Sequence, residues 1–331
     1  MSITYPPRPI GADGPMVNPV ALGCMSFGGM YGPTDREESF ACLQAALDRG
    51  IDHWDTARIY GMGVSEEIIG DFLRQTGAAP TIATKAGIVP APERRFDNGA
   101  DYLRETLEGC LERLGRPSVE LFYIHRREAE RPVEEVMETL LGFREEGLIG
   151  GIGFSEVEPD TIRRAAAVGP VAAVQSEYSL WTRLPELGVI QACHEVGAAF
   201  VAFSPLARGV LTDADPDVAS IGERDIRRSQ PRFQEPAWTR NRARVARFRD
   251  WCGGRGWAPA AVAVAWTVAR YDNVISIPGT RSAAHLHQWA DAMEITLDDE
   301  AMGEIEAILP VGWAAGDRYS VPQWVGVERY A

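Results

Sequence analysis

The sequence predicts an α/β protein built as a closed (β/α)8 barrel, the TIM-barrel architecture. Short apolar segments alternate with amphipathic ones along most of the 331 residues, which is typical of parallel strands joined by crossover helices. Eight such units in about 300 residues fit a closed barrel better than an open sheet. The longest connection, 204–239, is broken by Pro, Gly and Asp, and we expect this long βα loop to cover a functional site.

The strands are predicted from short apolar runs, at 20–24, 51–55, 80–85, 119–125, 149–153, 172–176, 198–203 and 274–277. The helices are predicted from amphipathic segments, at 35–49, 65–75, 100–114, 133–146, 158–168, 186–196, 240–254 and 282–292. A further helix, 258–271, is apolar nearly all round, and we expect it to be buried. No shift in composition divides the chain, so 1–331 is predicted to be a single barrel domain with an N-terminal segment (1–17), additional C-terminal helices and a tail (311–331).

Composition excludes several classes of function. The net charge of −14 disfavours binding to nucleic acid. No run of 18 apolar residues predicts a membrane span, and the N-terminus lacks the apolar core of a signal peptide. Five scattered cysteines form no CxxC pair, so we interpret them as reduced, half-buried packing residues without a metal. We therefore expect a cytoplasmic protein, and its oligomeric state stays open.

Lys85 is an informative exception. It is the single lysine among 33 basic residues, so the chain uses Arg at every other basic position. An ammonium is a compact point charge whose pKa responds to burial, and a guanidinium cannot replace it in either respect. The alternative is a surface lysine retained by chance, but Lys85 ends an apolar run, 80–87, that is predicted to form a strand entering a loop.

Three further side chains are predicted to meet Lys85 where strands end. Reactive residues of such barrels lie at the C-terminal ends of strands, where Asp55, Lys85 and His125 fall, with Tyr60 in the loop beyond Asp55. Taken singly, Asp55 fits a loop carboxylate, Tyr60 a packing residue and His125 a hydrogen-bonded strand end. Together they fit carbonyl reduction: the phenol donates a proton, the ammonium lowers its pKa, the carboxylate holds the ammonium, and the imidazole orients the carbonyl.

A series of short motifs then follows along the chain: DTA at 55–57, YG at 60–61, SE at 65–66 and Gly70; TK at 84–85; YIH at 123–125; GIGFS at 151–155; VQSEY at 174–178; AFSPLARG at 202–209; and IPGTR at 277–281. In order and spacing, over about residues 18–310, they resemble the aldo-keto reductase superfamily. The segments SEVEPDTIRRA, QSEYSLWTR and GDRY are most similar to its bacterial and plant branch that reduces aldehydes.

The resemblance implies an oxidoreductase that reduces aldehydes or ketones to alcohols by direct 4-pro-R hydride transfer from NADPH. Tyr60 would be the general acid, Lys85 its pKa-lowering partner, Asp55 the counter-ion and His125 the carbonyl donor. The residues implied at the cofactor are Ser155 and Gln175 at the carboxamide, Phe203 on the nicotinamide ring, Ser204, Leu206 and Arg208 along the pyrophosphate, and Gly279, Thr280 and Arg281 around the 2′-phosphate.

The chain departs from the family pattern towards the adenine. His285, Gln288 and Trp289 stand where the family has Arg, Glu and Asn. His285 can still bond a phosphate and Gln288 the adenine, whereas an indole cannot replace an asparagine amide. Because Thr280 and Arg281 remain, NADPH is the predicted cofactor, with NADH as the alternative.

On the substrate side, Met25, Phe27 and Met30 are candidates for an apolar pocket wall, or for ordinary loop packing. Arg126 could favour polar or anionic carbonyls, and a structural ion pair is equally consistent with its position. Nine arginines in 224–249 are interpreted as a mostly solvated surface, with one or two of the loop residues Arg224, Arg227, Arg228 and Arg232 reaching cofactor or substrate.

Two other functions remain open. The same four residues serve an NAD(P)+-dependent sugar or alcohol dehydrogenase, since the reaction is reversible. An NADPH-binding regulatory subunit would share the fold, but the four residues are intact and no partner-binding extension is evident. The predicted partner is a small-molecule carbonyl compound, whose identity the sequence does not specify.

Overall fold

A computed structural model describes residues 5–90, 94–223 and 225–329. Eight parallel strands succeed one another around the sheet in chain order. They are β1 (Leu22–Gly23), β2 (His53–Asp55), β3 (Thr81–Ala86), β4 (Val119–Ile124), β5 (Ile149–Ser155), β6 (Ala173–Glu177), β7 (Ala199–Phe203) and β8 (Val274–Ile277). Parallel bridges from Val20 to Ser276 and from Gly23 to Gly279 join the first strand to the last. The predicted (β/α)8 barrel is thereby confirmed.

Helices surround the strands. They are α1 (Arg36–Asp48), α2 (Val64–Thr76), α3 (Ala100–Leu114), α4 (Val133–Glu145), α5 (Pro159–Val168), α6 (Val189–Val196), α7 (Ala237–Gly254), α8 (Pro259–Ala269), α9 (Ala283–Ala290) and α10 (Asp299–Ile308). α8 is buried from Pro259 to Val268, as its apolar sequence predicts. Among the described residues, no helix combines the length and the apolar character needed to cross a membrane.

Alternation of side chains along the strands creates two apolar regions. A small cluster fills the barrel itself and includes Ala83, Leu121, Ala173 and Val201, all from inward-facing positions. A larger cluster lies between strands and helices. A hairpin that pairs Arg8–Pro9 with Met16–Val17 closes the N-terminal end, so only the C-terminal end can open into a cavity.

The structure corrects some local predictions. The predicted helix 186–196 is interrupted at Gly188, where φ is +145°, so a 3-10 turn at Leu184–Leu187 precedes α6. The loop 204–239 is ordered by four short 3-10 turns. All five cysteines are free and buried rather than half-buried, which identifies them as core packing residues.

Candidate active site

Asp55, Lys85 and His125 meet because adjacent parallel strands end together. Asp55 is the last residue of β2, Lys85 lies near the end of β3, and His125 directly follows β4. The register pairs Asp55 with Ala83 and Lys85 with Tyr123, which directs the charged side chains to the barrel axis. The sequence interpretation of three consecutive strand ends therefore agrees with the observed geometry.

Lys85 and Asp55 form a buried ion pair. Nζ of Lys85 donates to Oδ1 of Asp55 and, at 2.8 Å, to the carbonyl oxygen of Thr56. Nε2 of Gln175 donates to the other carboxylate oxygen at 2.8 Å. Both charges are almost completely removed from water, and each has more than one hydrogen-bond partner. Such a pair is held in one geometry, because leaving either charge unpaired would be strongly unfavourable.

Tyr60 reaches the ion pair through a close approach of two loops. A Cβ at Gly28 would lie 2.4 Å from the carbonyl carbon of Tyr60, so only glycine permits this contact. Gly61 follows the tyrosine with φ of +64°. The phenol ring lies 5.2 Å from Nζ of Lys85 and 5.8 Å from the imidazole of His125, measured to ring centroids. The four predicted side chains thus form one cluster.

The sequence predicts that the ammonium of Lys85 lowers the pKa of Tyr60, and this contribution stays a prediction, because other groups set the net direction of the shift. Burial raises the pKa of Tyr60 well above its usual value, and the carboxylate of Asp55 raises it further. Burial also lowers the pKa of Lys85, against the opposing effect of Asp55. Tyr60 is therefore a neutral phenol at physiological pH.

His125 is held neutral as well. Burial lowers the pKa of His125 well below its usual value, and the positive charges of Arg126, Lys85 and Arg94 act in the same direction. A neutral imidazole can donate one N–H hydrogen bond without carrying charge. The site therefore has two uncharged hydrogen-bond donors close together, the phenol of Tyr60 and the imidazole of His125.

A cavity of about 580 Å³ opens beside this cluster. This volume lies in the range of ligand pockets. Tyr60, His125, Asp55, Met25 and Arg126 line it, as do all the residues that the sequence assigns to the cofactor. The cavity wall does not include Lys85, which lies behind Asp55 and Tyr60.

Two predicted pocket residues lie elsewhere. Phe27 is completely buried in the cluster between strands and helices. Met30 is half-buried but is not part of the cavity wall. In the 3-10 turn Met25–Gly28, successive side chains point about 120° apart, so Ser26 can line the cavity while its neighbour Phe27 belongs to the core.

The cavity wall contains strained backbone. Among the described residues, five that are not glycine have a positive φ, and all follow the C-terminal end of a strand: Met62, Glu156, Ser204, Ala207 and Arg208. Such conformations persist only where surrounding contacts impose them, and they concentrate at ligand sites. The three in the loop after β7 form a cradle, Ser204–Gly209, on one wall of the cavity.

A buried ionic cluster attaches the tail to the barrel. Arg318 binds both carboxylate oxygens of Glu156, and Arg208 donates to Glu177 at 2.9 Å. Burial opposes ionisation of Glu156, but Arg318, Arg126 and the backbone N–H of Glu177 together lower the pKa of that carboxyl below its usual value. Tyr319, next in the tail, consequently lines the cavity.

Sequence analysis missed several cavity residues, among them Tyr319, Gln323 and Gln230. Gln230 is buried, and neither its amide nitrogen nor its amide oxygen has a partner among the described residues. A buried amide without partners indicates a ligand contact. In the sequence, only the length of the 204–239 loop could have indicated that Gln230 lines the cavity.

Arg281 lies at the far end of the cavity. Its Nη1 donates to the carbonyl oxygen of Tyr31 at 3.3 Å, and its Nε lies 3.6 Å from a carboxylate oxygen of Glu38. Trp289 also lines this end, and its buried indole N–H has no partner among the described residues. The side chain that departs from the family pattern thus supplies a donor of its own.

Two arginines of the segment 224–249, Arg227 and Arg232, are not part of the solvated surface. Arg227 lines the cavity and forms an ion pair with Asp225 at 2.6 Å. Arg232 packs over the ring of Trp181, and burial lowers its pKa to about 10. Arg224 lies outside the described residues. In the part of the chain that the structure describes, no group of three or more His, Cys, Asp or Glu is arranged to hold a metal ion.

The fold and the four clustered side chains agree with a known family. The model of the aldo/keto reductase family matches residues 19–310, which is most of the chain. The chain belongs to the aldo/keto reductase family. As a member it is an oxidoreductase, and the site described above occupies the C-terminal end of the barrel, where enzymes of this architecture carry their catalytic residues.

Relatives of this aldo/keto reductase extend over its full length. It is 37% identical over 325 residues to the Schizosaccharomyces pombe protein named aldo-keto reductase yakc [NADP(+)], covering 96% of this chain and 95% of that protein. It is 34% identical to the probable aldo-keto reductase 1 of Glycine max, covering 95% and 91%. The solved glycerol dehydrogenase AKR11B4 of Gluconobacter oxydans superposes with a TM-score of 0.84 at 26% identity, covering 97% and 99%.

Proposed function

We propose that this aldo/keto reductase uses NADPH to reduce an aldehyde or ketone to an alcohol, with Tyr60 as the proton donor. The observation that carries the proposal is the buried cluster of Tyr60, His125, Lys85 and Asp55 at the wall of a cavity of about 580 Å³. The use of NADP by a relative that is 37% identical supports the choice of cofactor.

The residues of the chain have distinct parts in this proposal. A carbonyl oxygen accepts hydrogen bonds from the phenol of Tyr60 and the neutral imidazole of His125, which fix its orientation and stabilise developing negative charge. Bound NADPH supplies the hydride. The alkoxide formed from the carbonyl group is a stronger base than a phenolate, so the neutral phenol of Tyr60 donates its proton to the alkoxide oxygen. The nearby Lys85 ammonium then stabilises the phenolate, and Asp55 holds the ammonium in place.

The cavity wall fits a dinucleotide. The cradle Ser204–Gly209 has room for close approach of a pyrophosphate to backbone, and Arg208 and Arg227 supply positive charge beside it. Arg281, with Thr280, would hold the 2′-phosphate in place of its weak contact to Glu38. The partnerless amide of Gln230 and indole of Trp289 are available to polar groups of the same ligand.

At the inner end, Ser155 and Phe203 are the proposed nicotinamide contacts. Phe203 lines the cavity at the end of β7 and retains an aromatic face on which a ring can stack. Gln175 has Nε2 bound to Asp55, so its amide oxygen is the atom left for a carboxamide N–H. Met25 and Arg126 are the proposed substrate contacts.

Tyr60→Phe tests the proposal, because it removes the phenolic oxygen and retains the ring. We expect kcat for aldehyde reduction to fall by about 10³-fold or more, within the range expected for loss of an acid catalyst, while the Kd for NADPH changes little. Tyr102→Phe is the matched control, since that hydroxyl is bound to the carbonyl oxygen of Ile88 away from the cavity. Turnover by Tyr60→Phe at the rate of the control would remove Tyr60 from the mechanism.

Alcohol oxidation with NADP+ or NAD+ uses the same residues in reverse. The structural similarity to a glycerol dehydrogenase makes this direction the second candidate. Initial rates in both directions with both cofactors distinguish the two, and we expect reduction with NADPH to have the highest kcat/KM.

A further inference from the structure

We infer that the preferred substrate is an anionic carbonyl compound, whose carboxylate or phosphate is bound by Arg126 with electrostatic support from Arg94. The inference rests on the proposed function, because it names the substrate class of the same site. It follows from a buried guanidinium that faces the cavity without a counter-ion.

Arg126 is held close to the reacting groups. Its Nη1 donates to the carbonyl oxygen of His125 at 2.6 Å and to Oγ of Ser155 at 3.0 Å. Its Nε is buried and has no partner among the described residues. The residue is only 9% exposed and lines the cavity. Because Arg126, His125 and Tyr60 line the same cavity, an anionic group bound by Arg126 would share that cavity with the carbonyl group of the same molecule.

The carboxylates near Arg126 are already engaged. Asp55 binds Lys85 and Gln175, and Glu156 is bound at both oxygens by Arg318. Within the described ranges, no carboxylate forms a salt bridge with Arg126. A guanidinium stays charged at all relevant pH values, so its burial without a counter-ion is unfavourable. An anion entering the cavity would remove that penalty.

Other buried arginines of this chain are satisfied differently. Arg127 pairs with Glu328 at 3.2 Å, Arg183 with Glu186 at 2.6 Å, and Arg318 with Glu156. All three are as buried as Arg126. A fourth buried arginine, Arg8, is bound by the carbonyl oxygens of Val268 and Val274 at the opposite end of the sheet strands from the cavity wall residues, whereas Arg126 lines the cavity and has no carboxylate partner among the described residues.

Arg94 adds a second positive charge that interacts with Arg126, although its exposed side chain is not part of the cavity wall. Its Nη1 donates to the carbonyl oxygen of Pro322, beside the tail residues Tyr319 and Gln323 that line the cavity. Partial burial lowers the pKa of Arg94, and repulsion from Arg126 lowers it further. No carboxylate of the described chain forms a salt bridge with Arg94 either. Two interacting like charges thus lack a carboxylate partner among the described residues, which favours an anionic ligand.

Matched pairs of aldehydes test the inference. With NADPH saturating, kcat/KM is measured for succinic semialdehyde against butanal, and for glyceraldehyde 3-phosphate against glyceraldehyde. We expect the charged member of at least one pair to be preferred by about tenfold or more, mainly through KM, as one charge-assisted hydrogen bond implies. The two pairs distinguish a carboxylate from a phosphate as the bound group.

Arg126→Met should reduce this preference by about 10- to 100-fold, the range of a lost charged hydrogen bond, and Arg126→Lys should reduce it less. Arg94→Met should reduce it more weakly. Arg104→Met is the matched control: it removes one positive charge from an exposed ion pair with Glu146, and we expect the preference to be unchanged. Thermal unfolding of each variant verifies that it is folded.

Three results would overturn the inference. One is reduction of neutral and anionic aldehydes with equal kcat/KM by the wild type, which leaves the proposed function intact. Another is an unchanged preference in both Arg126→Met and Arg126→Lys, with weaker NADPH binding, which would assign Arg126 to the cofactor. A third is the absence of reduction of any aldehyde, charged or neutral, which would reject the proposed function together with the inference.

Discussion

Gln175 donates a hydrogen bond to Asp55 at 2.8 Å, across 120 positions of sequence. The same carboxylate binds Lys85 through its other oxygen. The glutamine that the family resemblance assigns to the cofactor therefore also fixes the orientation of the catalytic ion pair. One residue connects the cofactor wall of the cavity with the positive charge behind Tyr60.

Gln175→Leu should weaken both catalysis and the fold. Loss of a hydrogen bond to a buried carboxylate should lower the free energy of unfolding by about 1.5–3 kcal/mol, measured by urea denaturation. We expect kcat to fall by at least about tenfold, because the ion pair behind Tyr60 loses a fixed geometry. Gln191→Leu, at an exposed helical position, serves as the control. A Gln175→Leu protein with normal kcat would show that the contact to Asp55 is dispensable.

Lys85→Arg should be severe although it retains the charge. The lysine is fully buried between Asp55 and the carbonyl oxygen of Thr56, and overpacking such a site costs about 1–3 kcal/mol. Lys85→Met should be worse, since an unpartnered buried Asp55 costs about 3–5 kcal/mol. Adding Asp55→Asn to Lys85→Met should restore stability without restoring turnover. Normal turnover by Lys85→Arg would contradict the special role of the lone lysine.

Arg281→Ala should weaken binding of NADPH more than binding of NADH. Its guanidinium is proposed to contact the 2′-phosphate, and a charge-assisted hydrogen bond contributes about 1.5–3 kcal/mol, which is about 10- to 100-fold in Kd. Fluorescence titration with each cofactor measures the difference. Arg49→Ala, in a surface ion-pair network with Glu294, should leave both affinities unchanged. Equal weakening of NADPH and NADH would place the 2′-phosphate elsewhere.

The cluster around Arg318 should make stability depend on acid pH. Burial opposes ionisation, but Arg318 and Arg208 lower the pKa of Glu156 and Glu177, respectively, below the usual value of 4.5. A depressed folded-state pKa stabilises the fold above pH 4.5, and this contribution is lost as the pH falls through the folded-state pKa. The free energy of unfolding of Arg318→Met should therefore be lower than that of wild type by about 3–5 kcal/mol at pH 7. This difference should become smaller as the pH falls.

The pH dependence of this stability difference is measured from the urea denaturation midpoints of wild type and Arg318→Met at neutral and acid pH. Arg104→Met again provides the control, because its partner Glu146 is exposed and screened by water. A constant difference between wild type and Arg318→Met across the acid range would show that the cluster is not linked to proton binding.

Local sequence patterns predicted the fold well. Alternation of strands and helices depends on residues close in sequence, and the described barrel has the strands where those patterns place them. Asp55, Lys85 and His125 could be found because residues at the C-terminal ends of adjacent parallel strands must converge. The boundaries of α6 were less predictable, since Gly188 breaks a segment whose apolar period continues across it.

The electrostatics of the site depended on long-range packing. The sequence paired the ammonium of Lys85 with the phenol and predicted a lowered pKa for Tyr60, whereas burial and Asp55 raise it. Desolvation depends on how completely the surrounding loops exclude water, and no local pattern specifies this quantity. The placement of Phe27 in the core has the same origin, because loop packing decides which side of a 3-10 turn faces the cavity.

The sequence by itself determined the barrel, the family and the identity of the four clustered side chains, because periodicity and motif spacing are local properties. Only the tertiary structure decided which partners the charged side chains around the cavity have: Gln175 for Asp55, Arg318 of the tail for Glu156 across 162 positions, and, among the described residues, no carboxylate for Arg126. Contacts of this kind depend on strand register and on where distant loops come to rest, and the free energy of a buried charge depends on them.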